Sequence, residues 1–298
     1  MTDGFGSLLF DRAEAACATV AGMPVIALHC SGADGRQWRK LADTVSSQRN
    51  LIAVECYGCE STGHWPGDHA FTLADEAHRV IDLIDRLGTQ AHLVGHSYGG
   101  GVALRVAVER PHAIASLALY EPSAFHLLTQ LGPDGFAARE EILRLIQAVS
   151  YGVLSGDYQT AISSFVDYWN GAGTAANLQP HVRDELLRWL PKAPLDFRAL
   201  IEEPTPLAAY RQLDMPTLVL RGEQGPKPSR LIAEGLARVM RFARLEVIAG
   251  AGHMGPLSHA GAVNAAIAAH MKWAGAAVDA CGEPLCQNSL RHHDLIAA

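Results

Sequence analysis

Residues 95–99 have the sequence Gly-His-Ser-Tyr-Gly, which places a serine between two glycines in a Gly-x-Ser-x-Gly pattern. A serine hydroxyl is a weak nucleophile unless a base takes its proton. In this pattern the serine stands on a sharp turn between a strand and a helix, and side chains at the glycine positions would collide with those elements. The pattern therefore predicts that Ser97 is a nucleophile and that the N–H of Tyr98 faces a developing oxyanion.

Apolar runs and amphipathic spacing around this motif predict the elements that position it. Residues 25–28, 51–54 and 114–120 are apolar runs typical of buried strands. Residues 73–87 have their apolar side chains on one helical face, with Thr72 as the N-cap. Strands that alternate with helices predict βα units and a mainly parallel sheet.

The alternation stops after the last of these strands. Residues 123–212 contain helical segments at 140–149, 158–169 and 182–190 and no good strand, which predicts a helical cap over the site. The other predicted parts of the chain are an α/β core at 1–122 and 213–276 and a poorly ordered tail at 277–298. In the core, the sequence also predicts strands within 7–22, 216–223 and 245–248, and helices at 38–46, 229–240 and 261–274.

The composition is that of a protein with a large core, since the 298 residues are 49% hydrophobic and 18% charged. The net charge of −7 disfavours nucleic acid and anionic membranes as partners. The N-terminus lacks the basic and apolar segments of a signal peptide, and six scattered cysteines are typical of free thiols in a reducing compartment. We therefore expect a cytoplasmic protein, a monomer or small homo-oligomer, that acts on a small molecule.

No pattern in the chain predicts a metal or a cofactor. Cys56 and Cys59 form a Cys-x-x-Cys pair, but Cys281 and Cys286 are too widely spaced to complete a zinc site with them. No nucleotide-binding fingerprint is visible. We therefore expect a protein that uses no cofactor and no metal ion.

Two further motifs follow predicted strands: residues 29–32, His-Cys-Ser-Gly, and residues 252–256, Gly-His-Met-Gly-Pro. Together with residues 95–99, in this fixed order, they resemble the α/β-hydrolase superfamily in its single-domain, helical-cap branch. The resemblance covers about residues 5–275. It implies an α/β-hydrolase fold, with a mostly parallel eight-stranded sheet flanked by helices and a cap inserted after the sixth strand.

The resemblance also implies roles for individual residues. Ser97 would be the nucleophile, and His253 the general base that takes its proton. The N–H groups of Tyr98 and Ser31 would form the oxyanion hole. The chain departs from the family at Cys30, where glycine is usual, so the loop either tolerates this side chain or has a reshaped hole.

The acid of the triad is open between two positions. In most of the superfamily an Asp follows the seventh strand, but here that loop, 222–227, has Gly225 at the expected place. Some relatives place the acid after the sixth strand, where Glu121 stands. We expect Glu121 to be the acid that fixes the tautomer of His253, with Glu223 as the alternative acid and a Ser-His dyad as a third arrangement.

These residues predict a serine hydrolase, similar to carboxylesterases, that forms an acyl-enzyme on Ser97 and releases it with water. An ester or thioester of a small, largely apolar molecule is the expected substrate, while a lactone, an amide or a carbon–carbon bond stays open. Two other functions stay open as well. One is a cofactor-free perhydrolase of the haloperoxidase type, and the other is a ligand-binding receptor on a hydrolase scaffold. The cap aromatics either line the pocket or form the cap's own core: Phe165, Tyr168, Trp169 and Trp189.

Overall fold

Six strands lie side by side in one sheet within residues 22–281, the part of the chain that the computed structural model describes. All neighbouring strands are parallel, so each connection has to cross over the sheet. This confirms the predicted α/β fold with a parallel sheet. In chain order the strands are β1 (Val25–Leu28), β2 (Leu51–Val54), β3 (Ala91–His96), β4 (Ile114–Tyr120), β5 (Thr217–Gly222) and β6 (Ala243–Ile248), and their order across the sheet is β2-β1-β3-β4-β5-β6.

The described sheet contains six of the eight strands that the family resemblance implies. The strands predicted within 7–22 lie outside the described residues, apart from Gly22. β1, β3 and β4 are buried along their whole length, as expected for apolar runs in the middle of a parallel sheet. For β2 the prediction of a buried strand is wrong. Its four residues are half-buried because, among the described strands, only β1 pairs with it.

The helix predicted at 73–87 is present with the same bounds. The N–H of Thr72 donates to Asp75 Oδ2 at 2.7 Å, which caps the first turn, and Gly88 ends the helix in the left-handed region at φ +62°. In chain order the helices are α1 (Arg39–Val45), α2 (Leu73–Leu87), α3 (Tyr98–Glu109), α4 (Gly132–Ser155), α5 (Tyr158–Asn170), α6 (Pro180–Trp189), α7 (Ala193–Glu202), α8 (Lys227–Val239), α9 (Gly255–Ser258) and α10 (Ala260–Cys281).

The chain between β4 and β5 forms helices and short 3-10 segments only. α4 and α5 contain the first two helical segments predicted there, and α4 is longer than its predicted part. α6 begins two residues before the third predicted segment and ends one residue before its end, at Trp189. α7 was not predicted. It follows α6 after a single 3-10 turn, Leu190–Lys192, so the sequence shows no separating loop between the two helices.

The last helix runs further than the sequence suggests. α10 continues to Cys281, so a tail that begins at residue 277 is wrong by several residues, and residues 282–298 lie outside the described part. Within residues 22–281, no helix is long and apolar enough to cross a bilayer.

The strands alternate their side chains between two apolar layers. Leu93 and Leu117 pack in the layer that includes α2, α3 and the helices between β4 and β5, while Val94 and Ala118 pack in the layer that includes α1 and α10. Because apolar side chains cover both faces of the sheet, a site for polar catalytic groups is expected at the carboxyl ends of the strands.

Candidate active site

Ser97 stands on the turn between β3 and α3, in a strained backbone conformation with φ +54° and ψ −116°. A Cβ on Gly95 would lie 2.8 Å from Gly100 Cα, and a Cβ on Gly99 would lie 2.6 Å from His29 O. Both positions therefore require glycine. The turn is as sharp as the motif predicts, and it directs the Ser97 side chain away from the sheet toward the carboxyl ends of the strands.

His253 lies between side chains that come from two other strand ends. Its Nε2 is 2.9 Å from Ser97 Oγ, and its Nδ1 is 2.7 Å from Glu121 Oε2. Because a carboxylate only accepts hydrogen bonds, Nδ1 carries the proton, which leaves Nε2 to accept from the Ser97 hydroxyl. All three residues are buried. The structure thus brings the predicted nucleophile, base and acid into one hydrogen-bonded chain.

Glu121 follows β4 directly and has no exposed surface. Its Oε1 accepts the N–H of Gly222 at 2.9 Å, and this bond orients the other oxygen toward His253. The φ of Glu121 is +41°, and among the described residues Ser97 is the only other non-glycine residue with a positive φ. Both strained residues therefore belong to the same site, as is common where geometry serves a function.

Glu223, the alternative acid, is not brought to His253. Its Oε2 instead accepts the N–H of Gly250 at 2.8 Å. Gly225 lies beside the other carboxylate: a Cβ there would be 2.9 Å from Glu121 Cδ and still closer to Oε1. The space next to Gly225 is thus filled by Glu121.

The loop after β1 is held by hydrogen bonds at Cys30 and His29. Cys30 N–H donates to Gln37 Oε1 at 3.1 Å, and His29 Nδ1–H donates to Cys30 O at 2.8 Å. His29 Nε2 accepts the N–H of Cys56 at 3.1 Å, so the ring serves to shape the loop. Cys30 does not have a positive φ, which is why the loop tolerates a side chain there.

The two residues predicted to supply oxyanion donors, Tyr98 and Ser31, both lie close to Ser97. Tyr98 is the first residue of α3, so its N–H has no partner within the helix. Ser31 lines the same cavity as Ser97. The N–H of Gly99 donates to His29 O at 3.1 Å and ties the Ser31 loop to the start of α3.

Ser123 is a neighbour of the nucleophile that the sequence interpretation missed. Its Oγ is 3.1 Å from Ser97 Oγ, and its N–H donates to Ser97 O at 2.9 Å. The only signal available was its place two residues after Glu121, in the turn that ends β4. His96 is a second neighbour: its Nε2–H donates to His253 O at 2.9 Å, and burial lowers the pKa of His96 well below its usual value.

The sequence profile of the alpha/beta hydrolase family matches residues 25–266. This protein belongs to the alpha/beta hydrolase family. It is 25% identical over 256 residues to 2-hydroxymuconate semialdehyde hydrolase of Pseudomonas sp. (strain CF600). This alignment covers 80% of this chain and 83% of the relative. A thermophilic esterase from Thermogutta terrifontis has a solved structure with a TM-score of 0.64 and 23% identity, over 86% of this chain and 92% of the esterase.

A shorter match reaches a protein of another activity. Over 118 residues this α/β hydrolase is 32% identical to the dihydrolipoyllysine-residue acetyltransferase component of an acetoin cleaving system from Cupriavidus necator. The match covers 39% of this chain and 31% of the relative, so the chain corresponds to about a third of that protein.

A buried cluster of charges joins the helical segment between β4 and β5 to α2. Lys192 Nζ is 2.9 Å from Glu76 Oε1 on α2, and it also pairs with Asp196 on α7. Lys192 Nζ donates to the Tyr98 hydroxyl at 3.2 Å, so that hydroxyl belongs to the cluster. Burial alone would lower the pKa of Lys192, but the carboxylates of Asp196 and Glu76 outweigh it and raise the pKa above its ordinary value.

A cavity of about 470 Å³ opens onto Ser97 and His253. This volume suits a small organic substrate. Two of the predicted cap aromatics line the cavity, whereas Tyr168 donates to Glu141 Oε1 at 2.6 Å and Trp189 donates to Asp196 Oδ2 at 2.8 Å. The larger apolar residues that line the cavity are Phe165, Val166, Trp169, Leu178, Val182, Leu186, Met254 and Leu257.

Three cysteines near the site are free thiols: Cys30 and Cys56 are buried, and Cys59 is partly exposed. Cys59 Sγ is 3.4 Å from His29 Nε2 and lines a second cavity, of about 450 Å³, which shares residues 31–33 with the first. Within residues 22–281 no group of three or more His, Cys, Asp or Glu side chains is placed to hold a metal ion.

Proposed function

We propose that this chain is a serine hydrolase that cleaves small, neutral, largely apolar esters through an acyl-enzyme on Ser97. The observation that carries the proposal is the hydrogen-bonded chain from Ser97 Oγ to His253, at 2.9 Å, and from His253 to Glu121, at 2.7 Å. These contacts supply a nucleophile, a base within reach of its proton, and an acid that holds the base in the required tautomer.

The reaction follows from these contacts. His253 Nε2 takes the proton of Ser97 as Oγ attacks the ester carbonyl carbon, and the negative charge moves to the carbonyl oxygen. The N–H groups of Tyr98 and Ser31 stabilise that oxygen, while Glu121 stabilises the imidazolium. His253 then gives its proton to the leaving alcohol. Water then attacks the acyl carbon while His253 takes its proton, and His253 gives that proton to Ser97 Oγ as the bond between Oγ and the acyl group breaks and the acid leaves.

The cavity indicates the charge of the substrate. Of the described residues that line it, none is Lys or Arg, and one, Glu185, is acidic. Arg36 lies next to Glu185 but is already paired with that carboxylate and with Asp34. A substrate carboxylate placed in the cavity would therefore lose its water without meeting an unpaired cation, which is costly in an apolar site. The relative named for 2-hydroxymuconate semialdehyde acts on a molecule that carries a carboxylate. We therefore favour a neutral ester over cleavage of a carbon–carbon bond in an anionic compound.

Glu121 also weakens the case for a receptor without turnover. The glycine at position 225 favoured that function only as long as the triad acid was missing. Glu121 places a carboxylate 2.7 Å from His253 Nδ1, which supports acyl transfer over ligand binding alone.

A matched pair of esters tests this proposal. p-Nitrophenyl butyrate and p-nitrophenyl hemisuccinate have acyl groups of similar length, but the second carries a carboxylate. We expect wild type to have a kcat/KM at least about tenfold higher for the butyrate, Ser97→Ala to lose both activities, and Glu185→Gln to narrow the difference. Hydrolysis of the hemisuccinate as fast as the butyrate would contradict the neutral-substrate proposal, and no hydrolysis of either ester would contradict the esterase function.

A further inference from the structure

Trp169 of α5 lies flat against the imidazole of His253. The two ring centroids are 4.1 Å apart and the planes are inclined by 28°. Trp169 belongs to the cap, whereas His253 follows β6 in the core, so this stack is a direct contact between the cap and the candidate base. Trp169 is 7% exposed, and water is therefore largely excluded from the stacked faces.

Other aromatic rings hold Trp169 in this orientation. Phe125 is parallel to it, with an angle of 9° and 6.5 Å between centroids, and Tyr168 meets it edge-on at 4.6 Å. Phe165 meets it edge-on at 6.5 Å. Since rings from α5 itself and from the segment directly after β4 both pack against Trp169, they hold its indole in this orientation.

We propose that Trp169 is a positioning residue that stabilises the protonated state of His253 and so makes the strength of the base depend on the cap. The proposal rests on the function proposed above. An indole face attracts a cation placed over it, and the attraction is larger when the pair is shielded from water. Neutral imidazole gains less from the same stack. The contact therefore favours the step in which His253 takes the proton of Ser97.

The other groups that face His253 are few and have fixed roles. Glu121 contacts Nδ1 and Ser97 contacts Nε2. His96 faces the ring at a centroid distance of 5.2 Å, and because burial lowers its pKa it stays neutral and does not repel an imidazolium. Tyr120 donates its hydroxyl to Gly252 O at 2.7 Å, and Glu185 lines the adjacent cavity.

This arrangement gives the cap a second role besides covering the substrate. When α5 lies over the site, the indole is in contact with His253, and the imidazolium is stabilised on its ring face as well as by Glu121. Without the indole, that ring face would be open to the cavity. Proton transfer from Ser97 is thus favoured only with the cap in place.

The pH dependence of ester hydrolysis tests the proposal with Trp169→Leu and Trp169→Phe. We expect Trp169→Leu to lower kcat about tenfold and to move the acidic limb of the pH profile down by about one pH unit, because the imidazolium has lost its cation–π partner. Trp169→Phe retains an aromatic face, so it should keep most of the wild-type kcat and most of the wild-type position of the acidic limb. Trp273→Phe, in a stacked Trp–His pair away from the site, is the matched control and should leave the profile unchanged.

A second readout does not need activity. In Ser97→Ala protein, NMR titration of the His253 Cε1–H, assigned by its loss in His253→Gln, should have a midpoint about one pH unit lower once Trp169→Leu is added. That shift supports the proposal even if every ester tested is left intact, in which case only the proposed function fails. An unchanged midpoint, or a Trp169→Leu profile with lower kcat and an unmoved acidic limb, would overturn it.

Discussion

The Glu121 carboxylate occupies the space that a side chain at Gly225 would otherwise fill. A Cβ on Gly225 would lie 2.9 Å from Glu121 Cδ and closer still to Oε1. Most relatives, by the resemblance stated above, place the triad acid at the Gly225 position, after the neighbouring strand. Here the carboxylate reaches the same histidine from the end of β4 instead of β5, and the absence of a side chain at 225 makes room for it.

Gly225→Ala should therefore damage the site without removing any polar group from it. The new methyl displaces the Glu121 carboxylate from His253, and we expect kcat to fall by about a hundredfold or more because the base loses its tautomer and its counter-charge. Steady-state hydrolysis of a neutral ester measures the loss. Gly261→Ala, where a Cβ meets nothing within 4 Å, is the control and should be fully active.

A double variant tests the same relationship in the other direction. Glu121→Gly with Gly225→Asp moves the acid to the neighbouring strand, and it should recover part of the activity that Glu121→Gly loses. Full activity of Gly225→Ala would show that Glu121 and position 225 do not compete for space.

Ser123→Ala should slow acylation moderately. Since the Ser97 hydroxyl donates to His253, the Ser123 hydroxyl is the donor in the 3.1 Å contact with Ser97 Oγ. Its loss removes one hydrogen bond from an oxygen that gains negative charge, so we expect kcat/KM to fall about five- to tenfold. Ser155→Ala, on an exposed turn of α4, is the matched control. A Ser123→Ala enzyme as fast as wild type would mean that the contact has no role in the reaction.

Lys192→Met should destabilise the fold through the two carboxylates that it leaves behind. Glu76 and Asp196 are buried, and without Lys192 they lose their shared cation. We expect the free energy of unfolding to fall by about 3–5 kcal/mol, measured by urea denaturation at neutral pH. Lys227→Met breaks an exposed pair with Asp134 and should leave the urea midpoint unchanged. Equal midpoints for the two variants would contradict this account of the cluster.

His270 should make the fold less stable in acid. It is buried in α10, and burial, with Arg244 nearby, lowers its pKa to about 4. Above about pH 6.5 the residue is neutral in both states, whereas between pH 6.5 and 4 only the unfolded chain binds the proton. The free energy of unfolding should therefore drop by about 3 kcal/mol on acidification through that range. In His270→Leu the free energy of unfolding should depend less on pH over this range. In His64→Gln, a change at an exposed site, the pH dependence should stay as in wild type.

Local signals explain which parts of the structure could be predicted. The bounds of α2 follow from the cap at Thr72 and the glycine at position 88, and the turn at Ser97 follows from the spacing of its glycines. In each case the information lies within a few residues of the element. The parallel sheet was predictable for a related reason, since apolar runs separated by helices leave few other arrangements.

Contacts between distant segments could not be predicted in the same way. Trp169 and His253 are far apart in the chain, and the sequence contains nothing that distinguishes a tryptophan on the base from one in the core of the cap. The half-burial of Leu51–Val54 depends on which strands become its neighbours, and an apolar run has the same composition in either place. The choice between Glu121 and Glu223 likewise required the positions of both carboxylates relative to His253.

The rate at which a fluorophosphonate labels the protein is the sharpest test of the proposed Ser97–His253–Glu121 triad, because this probe reports the activated serine without requiring the natural substrate. We predict a single adduct on Ser97, mapped by mass spectrometry, with a labelling rate that falls about a thousandfold in Glu121→Gln and stays at the wild-type value in Glu223→Gln. A folded wild type that is not labelled at Ser97, or a Glu121→Gln variant labelled as fast as wild type, would contradict the proposed triad.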